Sequence, residues 1–189
     1  MHPRVRDFFA PENLDKKLKL DLHCHIYECL GHAAVSREVV QRVLNRVKLA
    51  GLDGIAVTEH WDGEYSRRFI ETMKANFDED ILVLPGKEWG RGVMEEQVEL
   101  YLPNNKVFRF WVHPRHLVER SFREIGEVQG IETDNNLHGY EIDREKVRQY
   151  AEEKGLLMLC NSDAHVLNRI GSLYNVVSLR ELLDRAVDP

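Results

Sequence analysis

The chain has 189 residues, the length of one ordinary domain and enough to bury a single core. Hydrophobic residues make up 43% and charged residues 31%, which excludes a disordered chain, and the net charge of -6 argues against a nucleic-acid partner gripped by its phosphate backbone. No apolar run reaches the roughly 18 residues of a bilayer span. The charged, aromatic stretch Met1 to Pro11 lacks the apolar core of a signal peptide, so a cytoplasmic protein without a membrane partner is expected. Cys24, Cys29 and Cys160 form an odd set without framework spacing, which fits reduced thiols better than disulfides or a zinc knuckle.

Short apolar runs alternate with amphipathic stretches along the chain. Leu18 to His25 reads as a strand with Asp21, His23 and His25 on one face and Leu20, Leu22 and Cys24 on the other. Ser36 is placed to cap a helix whose apolar face (Val39, Val40, Val43, Leu44, Val47) ends near Gly51. Gly54 to Thr58 reads as a buried strand, Glu64 to Asn76 as a helix, and Ile81 to Leu84, Gln97 to Leu102 and Val107 to Val112 as strands. A helix over His116 to Val128, a short strand over Tyr140 to Ile142 and a helix over Arg144 to Lys154 stopped by Gly155 follow. Leu156 to Cys160 is an apolar strand and Ser178 to Ala186 a closing helix. With no repeat and no linker, the expectation is one α/β domain over residues 18–189 behind an extension at 1–17, its strands parallel because helices cross between them.

Five of the nine histidines (His23, His25, His60, His113, His165) fall at or just beyond the end of a predicted strand, the edge where α/β folds build their sites. In Asp21-Leu22-His23-Cys24-His25 the two imidazoles point the same way along a strand and reach one ion without strain; a polar strand face satisfied by water or carboxylates is the plain alternative. His32 follows in a loop beside Gly31, where it is a ligand or a solvated side chain. Pro85-Gly86-Lys87-Glu88 is expected to turn the chain so that Glu88 projects from the rim. A carboxylate can bind two ions, one per oxygen, when they lie within about 4 Å, so Glu88 is either a bridging ligand or a surface acid in a turn. His113-Pro114 closes one strand, and Asn161-Ser162-Asp163-Ala164-His165 another, with Ser162 lacking the surroundings of a nucleophile elbow.

Five motifs then stand in order: Asp21 to His25, Ala50 to His60, Gly86-Lys87-Glu88, His113-Pro114 and Ser162 to His165. In order and spacing the chain resembles the PHP (polymerase and histidinol phosphatase) family over roughly residues 18–180. The resemblance implies a distorted (β/α)7 barrel with a di- or trinuclear site at the strand C-termini. By motif, His23, His25, Glu88 and Asp163 would hold one ion, Glu88 and His113 a second, and His32, His60 and His165 a third. It also implies hydrolysis of phosphoesters by a metal-bound hydroxide, with Glu88, Asp163 and His165 acting in the chemistry and zinc, iron or manganese all acceptable to such ligands.

Two departures stand out. Thr58-Glu59-His60 takes the place of the family's Thr-Asp-His, and the interval between Glu88 and His113 lacks the histidine that family members carry there. Gln97 is expected in its place, as a weak amide ligand that would leave the second ion loosely held. Lys87, Arg91, Arg115 and Arg169 adjoin the motifs and are candidates for a phosphate contact or for plain surface charge. Trp61, Trp89 and Trp111 read as core rather than pocket wall, and His116 and His138 as structural, His138 at the far end of the barrel. The leading expectation is a hydrolase of small phosphomonoesters. Its rivals are a nuclease acting on 3' ends, an amidohydrolase, for which no bridging-lysine motif is evident, and a metal-binding regulatory module without turnover.

Overall fold

The computed structural model describes residues 7–60, 63–90, 96–115 and 127–189. Its frame is one sheet of eight strands: β1 (Lys17–Asp21), β2 (Gly54–Val57), β3 (Leu82–Gly90), β4 (Glu96–Leu102), β5 (Lys106–Trp111), β6 (Gly130–Asn135), β7 (Leu157–Asn161) and β8 (Asn175–Ser178). The order is β7-β6-β5-β4-β3-β2-β1-β8, so the sheet curls into a nearly closed barrel with β7 and β8 at the seam. There side-chain amides take over from the backbone ladder. The Cys160 N–H donates to Asn175 Oδ1 at 2.8 Å, and Asn175 Nδ2 donates to Asn161 Oδ1 at 2.8 Å. Buried backbone groups at an open edge need such partners.

The strands are not parallel throughout, as the helical crossovers had suggested. β1, β2 and β3 form one parallel block and β5, β6 and β7 another, while β3, β4 and β5 form an antiparallel meander and β8 returns antiparallel to β1. β3 also runs straight through Pro85 and Gly86 instead of turning there. Gly86 suits this because a Cβ would lie 2.6 Å from the Glu99 carbonyl oxygen on β4. β6 and β8 were not anticipated, and Tyr140 and Glu141 lie in a 3-10 turn, Gly139–Glu141, that Ile142 caps, rather than in a strand. β1 stops at Asp21, short of His25, and a bridge between Cys24 and Ala164 then carries the chain onward.

Among the described residues four main helices cover the outside: α1 (Arg37–Leu49), α2 (Glu64–Asn76), α3 (Arg144–Lys154) and α4 (Leu179–Arg185). Ser36 caps α1 by accepting the Val39 N–H, Asp143 caps α3 through Lys146, and Gly155 ends α3 in the left-handed region at φ 65°. The apolar stripe of α1 packs with Phe69 and Met73 of α2 on Ile55 and Val57. Burying each such aliphatic side chain contributes roughly 1.5–3 kcal/mol. The barrel interior is filled by Leu18, Leu20, Leu22, Ala56, Leu84, Val98, Leu100, Phe108 and Phe110, joined by Phe8 from before β1. A plugged barrel leaves its strand ends as the place for polar groups. No helix of the described residues is long and apolar enough to cross a membrane.

Candidate metal centre

At that rim the chain ends supply the side chains in turn. His23 and His25 follow β1, His60 follows β2 and bridges to Glu88, and Glu88 sits near the end of β3. His113 follows β5, and Asp163 and His165 follow β7. His113 and Asp163 hold φ at 30° and 50°, a left-handed conformation that costs a residue with a side chain about 1–2 kcal/mol. Strain of this kind concentrates where a site demands a particular aim.

Four buried side chains converge. His23 Nε2 lies 3.0 Å from His25 Nε2, 3.6 Å from Glu88 Oε1 and 3.5 Å from Asp163 Oδ1. His25 Nε2 lies 3.4 Å from Glu88 Oε2 and 3.3 Å from Asp163 Oδ1. A tetrahedral ion with ligands at about 2.1 Å sets its donors about 3.4 Å apart, so this set fits a divalent cation. The fit extends to the tautomer. His23 Nδ1 is 3.0 Å from a Glu132 oxygen and donates to it, so Nε2 is the nitrogen that faces the centre and becomes a ligand once its own proton leaves.

Glu132 is the organising acid that sequence reading missed. It is fully buried on β6 and also accepts the His113 N–H at 2.7 Å, Asn135 Nδ2 at 2.9 Å and Asn161 Nδ2 at 2.9 Å. One carboxylate thus fixes His23 and the turn bearing His113. Asn135 reaches Asp163 Oδ2 as well, at 3.2 Å.

Two further sets flank the inner four. His25, His60 and His165 each place a donor atom within 4.8 Å of the others, with the His25 ring stacked 4.2 Å from His60 and 4.3 Å from His165. Glu28 closes this group: its oxygens are 3.5 Å from His60 Nε2 and 3.4 Å from His165 Nε2. His32, expected there, is exposed and lies edge-on to the Tyr27 ring at 4.9 Å; the set that forms contains Glu28 in its place. On the other side stand Glu88, Glu96 and His113. Gln97 is not with them. It pairs in register with Trp89 and Trp111 on the face of β4 opposite to Glu96, because side chains alternate along a strand.

The remaining expectations sort by the same geometry. Lys87 lies on the outer face of β3, 3.3 Å from Glu99, and Arg169 is exposed at the end of a 3-10 turn, Leu167–Arg169, after His165. Arg115 lies 2.7 Å from Glu141, and its charge acts on both Glu96 and His138. His138 sits at the rim and not at the far end, since the unanticipated β6 precedes it. Its ring is 4.9 Å from that of His113 and its Nε2 is 4.0 Å from Asp163. Trp111 packs with Ile131 and α3 in the outer core. The expectations for Trp61, Arg91, His116 and the helix around it lie outside the described residues.

The electrostatics couple the buried imidazoles to the buried carboxylates. Burial works against charge on His23, yet Asp163, Glu132 and Glu88 outweigh it and hold the imidazole well above its ordinary range. Burial pulls His25 down to about 4, with the His23 charge adding and Asp163 opposing. Burial would raise Glu88 and Asp163, but the surrounding histidines hold both carboxyls below their usual range. Without metal, the His23 cation therefore contributes stability that is present below the ordinary imidazole pKa and is lost as pH rises through the raised value. Metal loading at neutral pH has to displace that proton. Calorimetry in buffers of different ionisation enthalpy is expected to report net proton release, with affinity tightening as pH rises. A binding enthalpy independent of buffer would contradict this reading.

Fold and site together define a class: an α/β barrel whose C-terminal rim gathers imidazoles and carboxylates into adjoining donor sets around one glutamate. A family model described as PHP-associated (PHP_C) matches residues 141–186, the segment that carries Asp163 and His165. A solved structure described as a "putative metal-dependent phosphoesterase" from Bifidobacterium adolescentis is 12% identical, with a TM-score of 0.63 over 89% of this chain and 96% of that chain. PsfC from Pseudomonas syringae is 15% identical, with a TM-score of 0.57 over 88% and 87%. An amidohydrolase from Chromobacterium violaceum, solved with sulfate and no metal, is 15% identical, with a TM-score of 0.60 over 90% and 98%. At these identities the likeness is one of fold. Comparison with curated proteins gave no match. The family model agrees with the resemblance drawn from the motifs over its own segment, and the structural likenesses agree with the barrel fold.

Proposed function

We propose that this chain is a metal-dependent hydrolase of small phosphomonoesters, with two or three divalent ions held by the three donor sets. The observation that carries the reading is the division of the Glu88 carboxylate. Its Oε1 faces His23 at 3.6 Å and His113 at 3.1 Å, while its Oε2 faces His25 at 3.4 Å and His60 at 2.8 Å. A buried glutamate with imidazoles on both oxygens is built to tie two positions together. When bound, zinc, manganese or iron would activate water and neutralise charge on the phosphate.

The protein's own groups do the rest. His23 is held in the ligand tautomer by Glu132, and Asp163 is held ionised, with Asn135 bonded to its other oxygen. Arg115, steadied by Glu141, offers a planar fork toward a phosphate at the Glu96 and His138 side of the rim. Arg115→Ala is expected to raise KM for a phosphomonoester about 10- to 100-fold with little change in kcat, since a charge-assisted bond is worth about 1.5–3 kcal/mol. An unchanged KM would remove Arg115 from the substrate site.

The likeness to an amidohydrolase keeps a second reading in view. Lys87, the lysine beside Glu88 in sequence, is committed to Glu99 on the outer face, so it does not reach the centre. The deciding assay gives metal-reconstituted protein a phosphomonoester, a phosphodiester, an oligonucleotide with a free 3' end and an acyl amide. Preference for the monoester supports the proposal. Turnover of the amide alone would replace it, and no turnover of any substrate would favour a metal-binding module.

A further inference from the structure

The three donor sets differ in composition along one direction. The set at His60 and His165 offers those two imidazoles with Glu28 beside them and His25, shared with the inner set, stacked against both. The inner set offers His23 and His25 with Glu88 and Asp163. The set beyond it offers one imidazole, His113, and two carboxylates, Glu88 and Glu96. Strand register fixes the last of these. Glu88 on β3 pairs with Val98 on β4, whose side chain lies in the barrel core. Glu96, two residues earlier, therefore shares the inward face at the rim, where one of its oxygens, one Glu88 oxygen and one His113 nitrogen all lie within 4.8 Å of one another.

We infer that Glu96 gives the Glu88–His113 position a preference for a hard divalent ion, Mn²⁺ or Mg²⁺, so that the centre is graded from a nitrogen-rich to an oxygen-rich end. The inference rests on the metal-centre reading above but not on any turnover. Imidazole suits zinc, whereas carboxylate and water suit manganese and magnesium. Glu96 is 28% exposed, which leaves that position open to the several waters an octahedral ion keeps. The inner set is buried, and its two imidazoles lie 3.0 Å apart and within 3.6 Å of oxygens of Glu88 and Asp163, near the donor spacing of a tetrahedral ion.

The test loads chelator-stripped, full-length protein with two equivalents of Zn²⁺, then titrates Mn²⁺ and reads the free aqueous ion by electron paramagnetic resonance. The expected result is retention of about one Mn²⁺ per chain beside the zinc. Glu96→Gln should weaken that Mn²⁺ by about tenfold or more and leave the first two zinc equivalents in place. Glu96→His should turn the position toward zinc, so that a third equivalent of Zn²⁺ displaces the Mn²⁺ more completely than it does in the wild type. Near-UV circular dichroism checks that each variant is folded, and Glu96→His carries the test alone if Glu96→Gln is not. Wild-type Mn²⁺ binding in Glu96→Gln, or complete exclusion of Mn²⁺ by two equivalents of zinc, would overturn the inference. Graded metal binding without hydrolysis would refute the proposed function and leave this inference standing.

Discussion

Glu88→Ala is expected to lower hydrolysis by at least about a thousandfold, because removal of a mere supporting residue already costs about 10- to 100-fold in metal affinity or activity. Glu88 is 2% exposed and its two oxygens serve histidines on opposite sides. Alanine removes both contacts at once and leaves His23, His25, His60 and His113 without the anion that holds them together. The bound-metal count should fall with the rate, which separates a lost ligand from a lost general base. Glu88→Gln keeps the size but halves the acceptor capacity and removes the charge, so it should retain the fold and still lose metal. Full metal content with most of the activity in Glu88→Ala would show that the bridge is elsewhere.

Glu132→Ala should be the most damaging change outside the donor sets. Four donors converge on that carboxylate, and all four are buried: His23 Nδ1, the His113 N–H, Asn135 Nδ2 and Asn161 Nδ2. Breaking a buried charged network by removing one partner costs about 3–5 kcal/mol. Denaturant unfolding of the metal-free protein should show a loss of that order. Glu132→Gln fills the space, yet its NH₂ group meets donors where they need acceptors, so it should recover only part of the stability. Both variants free the His23 ring, and a fall in metal affinity of about 10- to 100-fold is expected beside the loss of stability. Wild-type stability with weakened metal binding would confine Glu132 to orienting His23.

Much of the frame was legible because local rules and tertiary structure agreed. Ser36 before an apolar stripe, Gly155 after one, and the match of Glu64–Asn76 to its predicted span are cases where capping and periodicity suffice. The motif histidines could be read because each stands just past a strand, where a barrel turns its chemistry outward. β6 was missed for a physical reason. Its inward positions lie at the polar rim, so Glu132 and Asn135 stand where an apolar residue would have announced a strand. That omission sent His138 to the wrong end of the barrel. Gln97 and Glu96 are neighbours in sequence, and a shift of one residue is the whole difference between the two faces of a strand. Glu28 in the place expected for His32 reflects a turn that no periodicity encodes: the chain closes at Gly31 with φ 66°, which carries His32 away from the rim.

Elemental analysis of protein purified without chelator, and again after reconstitution, tests the central claim most directly. Three donor sets arranged around one divided carboxylate require at least about two divalent ions per chain. Two or three ions, falling together in Glu88→Ala, is the expected result. One ion or none after reconstitution would contradict a multinuclear centre and, with it, the function proposed for this rim.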